Sequence, residues 1–349
     1  MNQDETLNPG TTPIPAEPIA PAPPPVFEKI FIGRDGLRAG WSLLVFIAIL
    51  AVVLFAAQWI SRRIHPHAPN HAPNIEEIAS NVPIKLMLLN EAIPFLAVLL
   101  ATWIMSKIER RPNSVYGLGG SRKVARFFAG LIWGVVCLSL LVLTLWKTGL
   151  LVIDSRLLFG GDIFRYGAIW LFGFLLVGLF EEYLTRGYIQ YTLTRGLAGL
   201  YRWAFKTHAS MTRHGEAVGF WSSAVILSFL FGLSHGKNPG ESPIGVLSAG
   251  LVAMVFCLSL WRTGSLWWAI GFHAAWDWAQ SFLYGVADSG MLIQHRFLAT
   301  HPVGKPVLSG GATGPEGSIY ILAVLALVVL IIVLTLKRAH YGDTLERST

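Results

Sequence analysis

Eight apolar stretches recur along this 349-residue chain, each close to or at the roughly 20 residues a helix needs to cross a bilayer. They run at 41–60, 84–105, 127–146, 167–191, 218–235, 244–260, 265–283 and 319–336. Hydrocarbon offers no water to satisfy backbone N–H and C=O groups, so only helices and closed barrels can cross it. A barrel needs short alternating strands, whereas these runs are continuous and rich in Leu, Ala and Gly. The expected fold is all-α: a polytopic transmembrane helix bundle of about eight spans. Composition agrees, because a soluble domain could not hide a chain that is 53% hydrophobic and only 13% charged.

The net charge of +7 calls for no nucleic-acid partner, because the basic residues follow the loops. With eight crossings and an inside N-terminus, two-thirds of the 27 Lys and Arg fall on one side. That bias predicts a multi-pass protein of a plasma (inner) membrane with both termini cytoplasmic. Eight prolines crowd the first 25 residues, so residues 1–39 read as a disordered, Pro-rich cytoplasmic tail. This start is acidic and lacks an early apolar run, which favours a retained anchor at 41–60 over a cleaved signal. The remainder divides into helices one to three (40–150), a core of helices four to seven (160–285), and a loop, last helix and tail (286–349). Cys137 and Cys257 form no CxxC pair and read as packing residues. His65, His67 and His71 share a Pro-rich loop without an evident carboxylate and are assigned no role.

Ionisable residues inside apolar helices narrow the chemistry, since each costs about 2.5–3.5 kcal/mol on insertion scales. The fourth segment carries Glu181, Glu182 and Arg186. Glu182 and Arg186 stand four apart and can pair on one helix face. Glu181 is turned about 100° away and keeps its carboxylate for other work. The fifth segment ends at His235; the seventh sets His273 and Asp277 four apart, a spacing that orients an imidazole. Each group has a bland reading: charges at a span end, a packed histidine, an intrahelical pair. Three helices bringing such groups together argue for a shared site. In the second segment, Asn90, Glu91 and Pro94 suggest a kinked, hydrogen-bonded helix or a cavity wall.

Taken in order, Glu181-Glu182-x-x-x-Arg186, Phe231-x-x-x-His235 and His273-x-x-x-Asp277 resemble the signature of the CPBP family, which comprises CAAX prenyl endopeptidases and bacteriocin-processing or immunity (Abi) proteins. The resemblance covers roughly residues 165–285. It implies a CAAX-protease-like core and an intramembrane endopeptidase acting on a membrane-associated protein or peptide. Glu181 then corresponds to the water-activating glutamate, assisted by His235. Glu182 and Arg186 complete the first motif, and His273 with Asp277 forms the third, where many members carry Asn in place of Asp277. As a metalloprotease the chain would draw zinc ligands from Glu181, His235, His273 and Asp277, but no His-Glu-x-x-His pair is present. A metal-free glutamate mechanism fits the same residues. A serine or cysteine nucleophile lacks any recognisable motif.

Two points stay open on sequence. His235 falls so far along the fifth segment that its helix either begins before residue 218 or does not fully traverse. The competing function is a non-catalytic scaffold, immunity protein or transporter on the same fold, although no internal repeat points to transport.

Overall fold

A computed structural model describes residues 30–33, 36–64 and 79–337. The Pro-rich tail (1–25), the loop bearing His65, His67 and His71, and the basic residues at 338 and 347 lie outside the described residues. Met1–Arg38 and Ala39–Thr349 are separate units. In the first, β1 (Ile32–Gly33) pairs antiparallel with β2 (Gly36–Leu37).

The second unit is the helix bundle. Six of its helices are long and apolar enough to cross a membrane. They are α1 (Ala39–Ile64), α2 (Ile84–Ile108), α3 (Lys123–Lys147), a continuous rod over Gly161–Ala204, α6 (Gly215–His235) and α7 (Pro243–Thr263). The rod consists of α4 (Gly161–Glu182), a π-helical turn (Tyr183–Ile189) and α5 (Gln190–Ala204). Two shorter helices occupy the seventh and eighth expected spans. These are α8 (Trp267–Trp278), which runs into a second π-helical turn (Ala279–Leu283), and α9 (Ile321–Thr335). The chain is an integral multi-pass membrane protein. Its outward faces carry exposed apolar side chains such as Phe55, Leu96, Ile132, Phe229 and Leu334, as a lipid-facing surface requires.

The fourth and fifth segments are both longer than expected, which accounts for the position of His235. α5 carries the rod well beyond residue 191, and α6 begins at Gly215 and packs antiparallel against it. The Thr194 and Ser223 hydroxyls hydrogen-bond at 2.8 Å, Gly219 abuts Thr194 and Ala198, and Phe231 stacks under Arg186. His235 therefore reaches the level of the glutamates because its helix starts before residue 218.

Glycines decide how closely the core helices approach. A Cβ at Gly130 or Gly134 of α3 would collide with backbone of Trp268 and Phe272, and one at Gly271 of α8 with the carbonyl of Phe127. On the other side of α8, Gly178 of α4 faces the backbone of Ile270 and Ala274. Small residues let membrane helices meet backbone to backbone, and here they clamp α8 between α3 and α4. Gly232 of α6 likewise meets Val246 and Gly250 of α7. Gly271→Val is expected to destabilise the fold by about 1–3 kcal/mol through overpacking, read as a lower unfolding temperature in detergent.

The segment joining α8 to α9 folds over one end of the bundle. Its strand β4 (Leu298–Pro302) pairs antiparallel with β3 (Leu151–Arg156), with a bulge between Ile153 and Ser155. Ile293 bridges to Val82 at the approach to α2. These ties hold Asp288, Ser289 and Glu316 in position against the helices below.

Candidate active site

The two glutamates of α4 have different surroundings. Glu182 is wholly buried, and its Oε1 accepts hydrogen bonds from Arg186 Nη1 at 2.8 Å and His273 Nδ1 at 3.0 Å. Arg186 is itself 3% exposed, with its guanidinium 4.4 Å from the Phe231 ring centroid and 5.8 Å from that of Phe256. The pairing spaced four apart is thus a buried, ring-stacked ion pair that also aims an imidazole. Glu181 has a side chain 26% exposed, so water can reach it, and its Oε2 lies 3.8 Å from His273 Nε2. The π-helical turn starts at the next residue but one after Glu181 and re-phases the rod below the carboxylates.

His273 gathers the acids. With Nδ1–H given to Glu182, its Nε2 faces Asp277 Oδ2 at 3.5 Å and Glu181 Oε2 at 3.8 Å. Those two separations are too long for good hydrogen bonds, which leaves Nε2 directed at the space between two carboxylates. A water or a substrate oxygen entering there would find both a donor and a base.

His235 Nδ1 lies 2.8 Å from the carbonyl oxygen of Phe231, one turn back on α6. A carbonyl only accepts, so Nδ1 carries the hydrogen, and in the neutral ring Nε2 is the free acceptor. The Phe-x-x-x-His spacing thus does two jobs: the phenylalanine ring packs on Arg186, and its carbonyl sets the histidine tautomer.

His235, His273 and Asp277 line one cavity of about 90 Å³, room for several waters or part of a peptide. Glu181 adjoins it through His273. Of the six residues singled out by sequence, Glu181, Glu182, Arg186, His273 and Asp277 form one chain of contacts, and His235 shares the cavity with two of them. Glu91 of α2 lies within electrostatic reach of Glu181 and His273.

Sequence reasoning missed the remaining acids of the cavity: Glu241 in the α6–α7 turn, and Asp288 and Glu316 in the segment before α9. Burial pushes Asp288 up to about 6 and lifts Glu316 well above the usual carboxylate range. No periodicity marks acids in irregular segments, so the available signal was the scarcity of charge in those stretches.

Among the described residues, no three His, Cys, Asp or Glu side chains are arranged to hold a metal. With Nδ1 of His273 bonded to Glu182 and Nδ1 of His235 to the Phe231 carbonyl, Nε2 is the nitrogen each ring would offer to a water, a substrate or an ion.

Residues 163–279 match the family model of Rce1-like proteins, type II CAAX prenyl endopeptidases. The match is consistent with a CPBP-family intramembrane protease and implies a peptidase at family level. No curated protein and no solved structure gives a match.

Proposed function

We propose that this chain, Rce1-like over residues 163–279, is an intramembrane endopeptidase that hydrolyses a peptide bond of a membrane-associated protein or peptide. The observation that carries the reading is His273 Nε2, set 3.8 Å from the water-accessible Glu181 and 3.5 Å from Asp277 at a cavity shared with His235.

In this mechanism a water bound beside Glu181 gives one proton to that carboxylate while His235 Nε2 accepts a hydrogen bond from it. The hydroxide oxygen bonds to the scissile carbonyl carbon, and the carbonyl oxygen becomes an oxyanion facing the His273 N–H. Asp277 and Glu182 hold that imidazole in place and balance its charge. The C–N bond then breaks, its electron pair goes to nitrogen, and Glu181 returns the proton to the leaving amine. Arg186 touches no reacting atom; it fixes Glu182.

The mechanism runs without a metal, because Glu181 and the two histidines already supply a base and an oxyanion donor. Exhaustive treatment of the purified, reconstituted protein with EDTA is expected to leave turnover of quenched fluorescent peptides within about twofold of the untreated rate, since acid–base and electrostatic groups are untouched. Loss of activity with recovery on adding Zn²⁺ would instead assign a metal to Glu181, His235, His273 and Asp277.

For the cellular setting we propose a plasma (inner) membrane, with the cluster of Lys107, Arg110, Arg111, Arg122, Lys123 and Arg126 on the cytoplasmic side. The catalytic unit would extend past residues 160–285 to include the segment that closes the cavity with Asp288 and Glu316.

A further inference from the structure

The two helices that carry Glu181 and His235 run past the site and meet in a hairpin. α5 ends at Ala204, a single helical turn follows at Ala209–Thr212, and α6 starts at Gly215, which lies against the stem of Arg202. Neighbouring helix ends mark the level of the surrounding bundle. Ala39, the first residue of α1, packs on Gly196, and Arg111, just past α2, donates to the Tyr191 hydroxyl at 2.9 Å. From Gly196 the rod continues to Ala204, about 12 Å along its axis at 1.5 Å per residue. That is enough to cross the headgroup layer, which adds about 5–8 Å to each side of the hydrocarbon.

The charge at this end is of one sign. No Asp or Glu occurs at 183–215. Arg202, Lys206 and Arg213 are exposed on the hairpin, as are Lys107, Arg110, Arg122 and Lys123 on the adjoining ends of α2 and α3. Glu109, the acid at the end of α2, is buried and already holds Tyr116, Tyr188 and Arg195 at 3.2 Å each. The opposite end is mixed, with Asp154 and Asp162 exposed among Lys147, Arg156 and Arg165.

An acidic soluble partner would answer the cations alone. The hairpin also presents Trp203, 68% exposed, with Leu200 and Met211 exposed near it. Water penalises such side chains, whereas the boundary between headgroups and acyl chains takes Trp and Leu with Arg and Lys beside them. Trp103 of α2 shows the same pairing, its exposed ring centroid 5.8 Å from Lys107 Nζ. Because the bundle is embedded in the bilayer, the hairpin is held beside that surface before any contact forms. We propose that the α5–α6 hairpin is an anchor for anionic phospholipid, with Arg202, Lys206 and Arg213 on the headgroup phosphates and Trp203 and Leu200 seated at the acyl boundary. The inference goes beyond the endopeptidase reading and does not depend on it. It agrees with the proposed topology, since the cytoplasmic leaflet carries the negative surface potential.

The test uses the full chain in nanodiscs of phosphatidylcholine, alone or with about one-third phosphatidylglycerol. Ser210, exposed on the hairpin, is replaced by Cys and labelled with a nitroxide, while Cys137 and Cys257 are buried. Collision of the label with a neutral, water-soluble nickel chelate is expected to fall about threefold or more on the anionic discs. Raising the salt from 0.1 M to 1 M shortens the Debye length from about 10 Å to about 3 Å and should remove most of that difference. The combined substitutions Arg202→Gln, Lys206→Gln and Arg213→Gln should remove it as well. Equal exposure of the label on both kinds of disc, which would leave the hairpin to a soluble partner, overturns the proposal. So does a difference that survives the loss of the three cations. Should that variant fail to fold, the salt series on the unneutralised hairpin decides: a lipid dependence unchanged at 1 M salt overturns the proposal.

Discussion

Replacing Glu181 with Gln is expected to lower peptide turnover by about 10²–10⁴-fold, the range general-base catalysis contributes, without altering the unfolding temperature. The asymmetry within the glutamate pair is what gives this expectation its content. Glu181 is a quarter exposed and meets His273 only at ion-pair distance, so its amide can be accommodated without rebuilding the core. Glu182 is wholly buried and holds both Arg186 and His273. Its amide would both weaken the fold and release the imidazole. Turnover in reconstituted vesicles, measured beside thermal unfolding of the same samples, separates the two glutamates. Equal turnover by Glu181→Gln and the parent protein would remove Glu181 as the base, and no turnover by either would return the chain to the non-catalytic scaffold or transporter class.

Arg186→Met should be the most destabilising single change in the site. Removing the guanidinium leaves Glu182 as a buried carboxylate with its 2.8 Å partner gone, and breaking a buried pair in this way costs about 3–5 kcal/mol. The same change removes the cation stacked against Phe231 and Phe256. Adding Glu182→Gln to Arg186→Met should recover part of the loss, because the stranded charge disappears with it. Denaturant unfolding in detergent measures both steps. If the two losses simply add, the ion pair is not what Arg186 contributes.

How far these features were legible in the sequence follows from the kind of signal each one leaves. The helical bundle was readable because the bilayer forces long apolar runs, whereas the close approaches at Gly130, Gly134 and Gly271 depend on which helices are neighbours and were not read from sequence. The spacing of Glu182 and Arg186, and of His273 and Asp277, carried their pairings directly, since residues four apart share a helix face. The ends of helices were less legible. Hydropathy fades where the rod leaves its apolar stretch, so α5 was not expected and the start of α6 before residue 218 was one of two alternatives, which left open the register that stacks Phe231 on Arg186. The π-helical turns after Glu182 and Trp278 leave no periodic mark at all. Nor did Glu91 reveal its neighbours: a lone glutamate beside Pro94 fits a kinked helix as readily as a site wall, and its reach to Glu181 depends on how α2 packs on α4. Asp288 and Glu316 sit in irregular chain whose placement depends on the β3–β4 pairing and the Val82–Ile293 bridge, contacts distant in sequence.

The most direct test of the central claim is to expose membranes containing the parent protein or Glu181→Gln to heavy-oxygen water and sequence the protein termini that accumulate. If Glu181 activates water against a peptide bond, the parent sample acquires new carboxyl ends carrying the heavy isotope, and the Glu181→Gln sample, with the protein inserted at equal level, does not. The same labelled ends in both samples, or none in either, would contradict it.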